Sequence, residues 1–282
     1  MSLKIGFLGP AGTFTEEALR SSYSLNGTEA VPLASIQDVI ASVERQDVDK
    51  GIVAIENSIE GSVNTTLDML AFDVDLKIEK EIITSVSHNL LGRAGLGKSD
   101  IEVVISHPQA TAQCRGYLMR EAPGAKIEAA NSTAEAAEIV ARNRDSRWAV
   151  IGTKLAAELY GLTVLDKNIQ DVAGNQTRFV MLGRSAVKPT GFDKTSIVCF
   201  IHEDRPGSLL SILQEFAYRN INLTKIASRP TRKALGEYCF FVDLEGHADD
   251  SPVADALKCL RCKLREVKLL GSYPRAKPVP PA

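Results

Sequence analysis

No stretch of this chain stays apolar for the roughly 20 residues a membrane-spanning helix needs, so no membrane association is expected. Basic clusters are missing too: 33 Lys and Arg against 35 Asp and Glu leave a formal net charge of -2, which gives a nucleic-acid partner no electrostatic footprint. The N-terminus enters a strand at Lys4–Leu8 with no signal or transit pattern ahead of it. The five cysteines are odd in number and lack framework spacing, which excludes a disulfide scaffold and points to a reducing, cytoplasmic setting. Cys259 and Cys262 form a C-x-x-C inside a helical pattern, with no second pair or histidine cluster, so they are expected to be packing or surface thiols. The four histidines stand apart, His107 beside Pro108 included, and no Walker loop or serine–histidine–acid set occurs. Gly9–Gly12 is too short to be a dinucleotide fingerprint. No metal and no cofactor are therefore expected.

What is present begins with a repeated strand, polar loop and helix. Lys4–Leu8, Gly51–Ile55, Glu102–Ile105, a segment near Ile127 and Trp148–Ile151 read as strands. Thr13 with Glu16 and Ser132 with Glu135 have capping-box spacing, and Ser35 precedes an apolar stripe at helical spacing. Lys77–Leu91 alternates for too long to be one ordinary strand and reads as a crossover between two lobes. This alternation predicts mostly parallel α/β sheets, one per lobe. Ligands of such sheets bind outside the carboxyl ends of the strands. Here those ends lead into Gly9–Thr13, Glu56–Ser58, Ser106–Gln109, Asn131–Thr133 and Gly152-Thr153, which hold no lysine or arginine. Most of them open helices, where free N–H groups suit a small carboxylate. Capping alone accounts for Thr13, Ser132 and Thr153, but poorly for Glu56, Asn57 and Gln109.

The character changes after Leu182. Residues 183–194 are a linker by composition. Beyond it come a strand at Thr195–Ile201, a helix at Pro206–Arg219, strands at 221–230 and 236–244 around a Lys233–Gly236 turn, a helix at 252–262 and a strand at 265–271. That order, βαββαβ, predicts a ferredoxin-like domain with two helices on an antiparallel sheet. A proline-rich tail from residue 273 to 282 is expected to be disordered.

One segment, Gln170–Leu182, does not fit a plain core strand. Asn175, Gln176, Thr177 and Arg178 lead straight into the apolar run Phe179–Leu182, so the strand's entrance is polar. Either it is an ordinary loop running into an edge strand, or its side chains face a ligand. In an extended segment Thr177 and Phe179 share one face and Arg178 takes the other.

Together, Gly9-Pro-Ala-Gly-Thr-Phe-Thr, Ile55-Glu-Asn-Ser with Gly61, Ser106-His-Pro-Gln with Gln113-Cys114, and Asn175-Gln-Thr-Arg-Phe resemble prephenate dehydratase. Gly207-Ser-Leu-Leu, Ile221-Asn-Leu-Thr-Lys-Ile and Ser228-Arg-Pro resemble the ACT regulatory domain fused to it. The resemblance implies a catalytic domain at 1–185, two-lobed like type II periplasmic binding proteins, and an ACT domain at 195–272. It implies loss of carbon dioxide and the ring hydroxyl from prephenate to give phenylpyruvate, with L-phenylalanine as feedback effector and a homodimer or homotetramer as the working form. Thr177 matches the family's catalytic threonine, and Asn57 and Gln109 its essential amides. Glu56, raised by burial, is the alternative proton source. Thr13, Ser58, Ser106, Arg178 and Phe179 are the expected substrate contacts. For Arg178 a structural salt bridge stands ahead of a carboxylate contact, and Phe179 is placed against the substrate ring. The effector is assigned to Gly207, Ser208, Leu209 and Leu210 at a helix start, completed by Asn222 and Leu223, with at least one of the leucines belonging to the core. Ala227 stands where the family usually has glutamate, which puts effector coupling in question. No chorismate mutase bundle precedes Lys4, so a monofunctional enzyme is expected. Arogenate dehydratase, acting on the aminated substrate, and a two-lobed carboxylate sensor without chemistry are the alternative readings.

Overall fold

A computed structural model of the chain describes residues 2–23, 27–143, 147–203, 205–232 and 237–277. The chain forms two compact units, the first from Met1–Asn64 and Ile82–Phe179, the second from Thr65–Glu81 and Val180–Lys277. The first half runs β1 (Leu3–Leu8), α1 (Phe14–Ser22), β2 (Thr28–Leu33), α2 (Ile36–Glu44), β3 (Lys50–Asn57), β4 (Gly61–Ser62), α3 (Asn64–Asp68) and β5 (Lys77–Ser85). It continues with β6 (Asn89–Gly92), β7 (Val103–Ser106), α4 (Pro108–Gln113), α5 (Arg115–Glu121), β8 (Lys126–Ala129), α6 (Thr133–Arg142), β9 (Trp148–Gly152), α7 (Lys154–Tyr160), β10 (Thr163–Asp166) and β11 (Gln176–Gly183). Among the described residues, no helix is long and apolar enough to cross a membrane.

Two sheets carry this half, ordered β2-β1-β3-β11-β5 and β10-β6-β9-β7-β8. The expected crossover is real: β5 lies in one sheet and β6 in the other, with only Val86, Ser87 and His88 between them. The chain returns between β10 and β11. The expectation of mostly parallel sheets needs correcting for the second, where β6 is antiparallel to both β9 and β10. A strand that arrives directly from the other lobe has no crossover helix to force a parallel pairing. Strands β2 and β10 were absent from the sequence reading. Both are sheet edges with mostly half-exposed residues, and β2 contains Pro32, so neither shows a clean apolar period.

The helix starts follow local sequence closely. Thr13, Ser35 and Ser132 each accept a hydrogen bond from the backbone N–H three residues on, at 3.4, 3.0 and 3.0 Å. Glu16 reaches back past the cap residue and accepts from Gly12 N at 2.6 Å. Thr153 caps α7 and also donates to the Gly12 carbonyl at 2.7 Å, which ties the loop after β1 to the second lobe. Gly12 has φ +92, and a Cβ there would sit 3.0 Å from Ala156 Cα, so this close approach requires glycine. The second lobe's interior has Val104, Cys114, Leu118 and Ile151 on one side of its sheet and Ile105, Ala137, Val150 and Ala156 on the other.

The second unit holds β12 (Asp193–Phe200), α8 (Ser208–Ala217), β13 (Leu223–Pro230), β14 (Tyr238–Glu245), α9 (Ser251–Lys263) and β15 (Glu266–Pro274). Its sheet is antiparallel throughout in the order β13-β14-β12-β15, which is the ferredoxin-like arrangement of βαββαβ. Ile212 and Phe216 from α8 and Val253, Leu257 and Leu260 from α9 cover one face of it. β15 runs past the expected end at residue 271 because Tyr273 is fully buried and its hydroxyl bonds Ser196 Oγ at 2.5 Å. The expected Lys233–Gly236 turn and the end of the tail, 278–282, lie outside the described residues. Thr65–Glu81 belongs to this unit through Arg229 on β13, whose guanidinium grips the Asp68 carboxylate at 2.6 and 2.8 Å.

Candidate active site

Between the two lobes of the first unit lies a cavity of about 350 Å³, lined among others by Thr13, Phe14, Asn57, His88, Gln109, Gln113, Asn175, Thr177 and Phe179. Among the described residues its one carboxylate is Glu60, and no lysine or arginine lines it. Strand ends and helix starts bring these groups together as expected for an open α/β sheet. Thr13 opens α1, Asn57 ends β3, Gln109 and Gln113 sit one turn apart on α4, and Thr177 is the second residue of β11.

The centre is an uncharged chain of amides. Asn57 Oδ1 accepts from the backbone N–H groups of Ile59 and Glu60 at 2.9 and 3.1 Å. Its Nδ2 therefore faces the other way, donating to Thr177 Oγ1 and to Asn175 Oδ1, each at 2.9 Å. Asn175 Nδ2 donates to Gln113 Oε1 at 3.1 Å, and the same oxygen meets His88 Nε2 at 3.0 Å. Burial holds the His88 imidazole below its ordinary pKa, so the ring is neutral at neutral pH. Thr177 Oγ1 is an acceptor from Asn57 and makes no other hydrogen bond among the described residues, so its own hydrogen is left for whatever fills the cavity.

The expected site residues divide. Thr177, Asn57, Gln109, Thr13 and Phe179 line the cavity. Thr177 and Phe179 share that face while Arg178, between them, takes the other and pairs with Glu56 at 3.4 Å. Neither Glu56 nor Arg178 lines the cavity; each faces a protein partner across neighbouring strands. Ser58 supports the chain from behind, donating to Asn175 Oδ1 at 3.3 Å and accepting from Gln176 N at 2.9 Å. Ser106 is fully buried and donates to the Ile151 carbonyl at 2.7 Å, outside the cavity. It lines instead a larger hollow of about 600 Å³ bounded by Leu118, Met119, Ala122 and Ile127, where no such amide cluster converges among the described residues. Three members were given no role by sequence: His88, Gln113 and Asn175. Gln113 had a signal, since its i,i+4 spacing from Gln109 puts both on one helix face.

In the second unit Gly207 is the N-cap of α8 with φ +90. Ser208 lines a hollow of about 360 Å³ with His202, Arg205, Ser211 and Lys263. Leu209 and Leu223 pack on the core, Leu210 is 58% exposed, and Asn222 accepts from Glu245 N at 2.9 Å.

Residues 5–187 match the family model described as prephenate dehydratase, and residues 195–261 match the ACT domain. The chain belongs to the prephenate dehydratase family. Membership makes it a dehydratase of the lyase class. The prephenate dehydratase of Methanocaldococcus jannaschii is 42% identical to it, over 94% of this chain and 96% of that one. The crystal structure of prephenate dehydratase from Arthrobacter aurescens in complex with L-Phe superimposes with a TM-score of 0.90 at 38% identity, covering 97% of this chain and 90% of that one. GqqA, described as a novel type of quorum quenching acylase, has a TM-score of 0.87 at 29% identity, covering 97% of this chain and 98% of its own.

Proposed function

We propose that the cleft converts prephenate to phenylpyruvate, carbon dioxide and water. The bond from the ring to its carboxylate breaks, its electron pair enters the ring, and the C–O pair departs with the hydroxyl, which takes up one proton. Aromatisation supplies the driving force, so the enzyme's task is to help a poor leaving group go. The observation that carries this reading is the Asn57 donation to Thr177 Oγ1, which leaves the threonine hydrogen as a positioned donor to the departing oxygen. Gln109 and Gln113 face the same space with amide groups suited to the carboxylates, and Phe179 offers its ring to the substrate ring. The pairing of Glu56 with Arg178 supports a structural role for both, leaving Thr177 as the donor.

Residues 1–185 form the catalytic part in this reading and 195–272 the regulatory part. L-phenylalanine is the effector, held by its carboxylate at the N–H groups of Leu209 and Leu210 after Gly207 and Ser208, and by its amine and ring near Asn222 and Leu223 of a second copy, in a cytoplasmic homodimer or homotetramer. Arg229 of the Ser228-Arg229-Pro230 run still has a carboxylate partner, Asp68, although residue 227 is alanine. That supports coupling without the usual glutamate.

Purified chain given prephenate is expected to yield phenylpyruvate, with kcat/KM above that for arogenate. Preference for arogenate would replace the substrate. Tight prephenate binding without product would make the protein a sensor, and acylase activity alone would move it to the acylase class. Phenylalanine is expected to lower the rate and shift the sedimentation coefficient; no change in either would remove the effector assignment.

A further inference from the structure

The amide chain has only one orientation. Backbone nitrogens cannot accept, so the Asn57 atom facing Ile59 N and Glu60 N is its oxygen. Its NH2 then points at Asn175, whose facing atom must be the oxygen, and Asn175's NH2 in turn requires the Gln113 oxygen. That oxygen also faces His88 Nε2, which must carry the hydrogen. Two donors converge on Gln113 Oε1, so the Gln113 NH2 is turned away from both and makes no hydrogen bond among the described residues, on a side chain that lines the cavity.

We propose that His88 is a positioning residue: as the Nε2–H tautomer it locks the Gln113 amide with its hydrogens toward the cleft. This deepens the dehydratase reading and rests on it. His88 is 4% exposed, at the crossover between β5 and β6, and its ring lies edge-on to Phe14 at 5.4 Å. Its backbone N–H is held by Gln170 Oε1 at 3.0 Å, so the residue is fixed at its backbone and its ring by Gln113 and Phe14. Nδ1 is buried with no hydrogen-bond partner, as the neutral Nε2–H form requires when nothing nearby donates to it. Without the histidine donor only Asn175 holds the Gln113 oxygen, and the amide is free to swing about its last torsion.

The full chain labelled with nitrogen-15 tests the orientation directly. A pyrrole-like Nε2 and a pyridine-like Nδ1 at neutral pH are expected for His88; the reverse pattern overturns the proposal. Kinetics test the consequence. His88→Phe keeps a ring against Phe14 but removes the donor, and kcat/KM for prephenate is expected to fall about 10- to 100-fold, as misplacement of a reacting group does. His88→Gln, whose amide nitrogen reaches close to the position of Nε2, is expected to recover most of that loss. Wild-type kinetics in a folded His88→Phe variant, or no recovery in a folded His88→Gln variant, overturns the proposal. Should either variant fail to fold, the nitrogen shifts of the wild type decide. Absence of prephenate turnover by the wild type would instead overturn the dehydratase reading, while the nitrogen shifts still report the orientation.

Discussion

The cleft of the first unit and the interior of the second handle polar groups in opposite ways. In the cleft, amides, a hydroxyl and a neutral imidazole bond in one direction and leave hydrogens over. In the second unit, charge meets charge and little is left over. Asp68 holds Arg229 and Arg232, Glu81 holds Lys194 and the backbone N–H of Ala276, and Glu215 holds Arg219 and Lys263. An ion pair spends its charge on its partner, whereas a directed neutral chain keeps its last hydrogens for a ligand. The difference also fits the charge of the substrate. Prephenate carries two carboxylates, and neutral dipoles stabilise an anion without adding a buried cation that must be desolvated when the site is empty.

The sharpest way to break the comparison is at the free end of the chain. Thr177→Ala leaves Asn57 bonded to Asn175 and removes only the donor. A kcat loss of about 10²–10⁴-fold with a small change in KM is expected from steady-state kinetics. Near-wild-type turnover would reduce the chain to a structural feature. In the second unit the loss is expected in stability instead. Lys194→Ala takes the cation away from the Glu81 carboxylate, whose side chain is 1% exposed, and a denaturant midpoint should report destabilisation of about 3–5 kcal/mol. The double variant Lys194→Met/Glu81→Leu is expected to regain most of that, since it leaves no charge behind. A smaller effect is expected from Arg229→Lys, which keeps the charge but gives up the two-pronged grip on Asp68. Roughly 1.5–3 kcal/mol, the worth of one charge-assisted hydrogen bond, is the expected loss in the same measurement.

These two regions also differed in how far sequence alone revealed them. The βαββαβ part of the second unit was legible almost element by element, because α8 and α9 carry apolar stripes, whereas the joining of Thr65–Glu81 to that unit was not. In the first unit the helix caps were legible because a capping box is written within four residues. Thr177 and Asn57 were found through their polar placement at strand ends and through family motifs. His88 was not, since its partner Gln113 lies 25 residues away and only the return of the chain from β6 to α4 brings them together. A histidine that stands alone in the sequence is a bonded one in the fold. Glu56 looked like an acid from sequence for the complementary reason: Arg178, which neutralises it, is 122 residues distant and becomes its neighbour only when β11 inserts beside β3.

The smallest expected effect follows from the same histidine and separates its charge from its hydrogen bond. Burial lowers the His88 pKa in the folded chain, whereas the unfolded chain titrates near the ordinary value of about 6.5. Above that pH both states hold a neutral ring, and His88 contributes no slope. As pH falls below it, the unfolded chain binds a proton that the folded chain resists, so stability drops until the folded-state pKa is passed. The wild type should therefore lose more stability than His88→Gln when denaturant midpoints are compared between pH 7.5 and 5, because every other titrating group is common to both. Parallel curves would mean that the folded protein accepts the proton at Nδ1 without cost. The ring would then be imidazolium in weak acid, with Nε2 still donating to Gln113, and the cleft would carry a cation that the neutral-chain picture leaves out. A steeper wild-type curve keeps that picture and confines acid sensitivity of the amide chain to its histidine end.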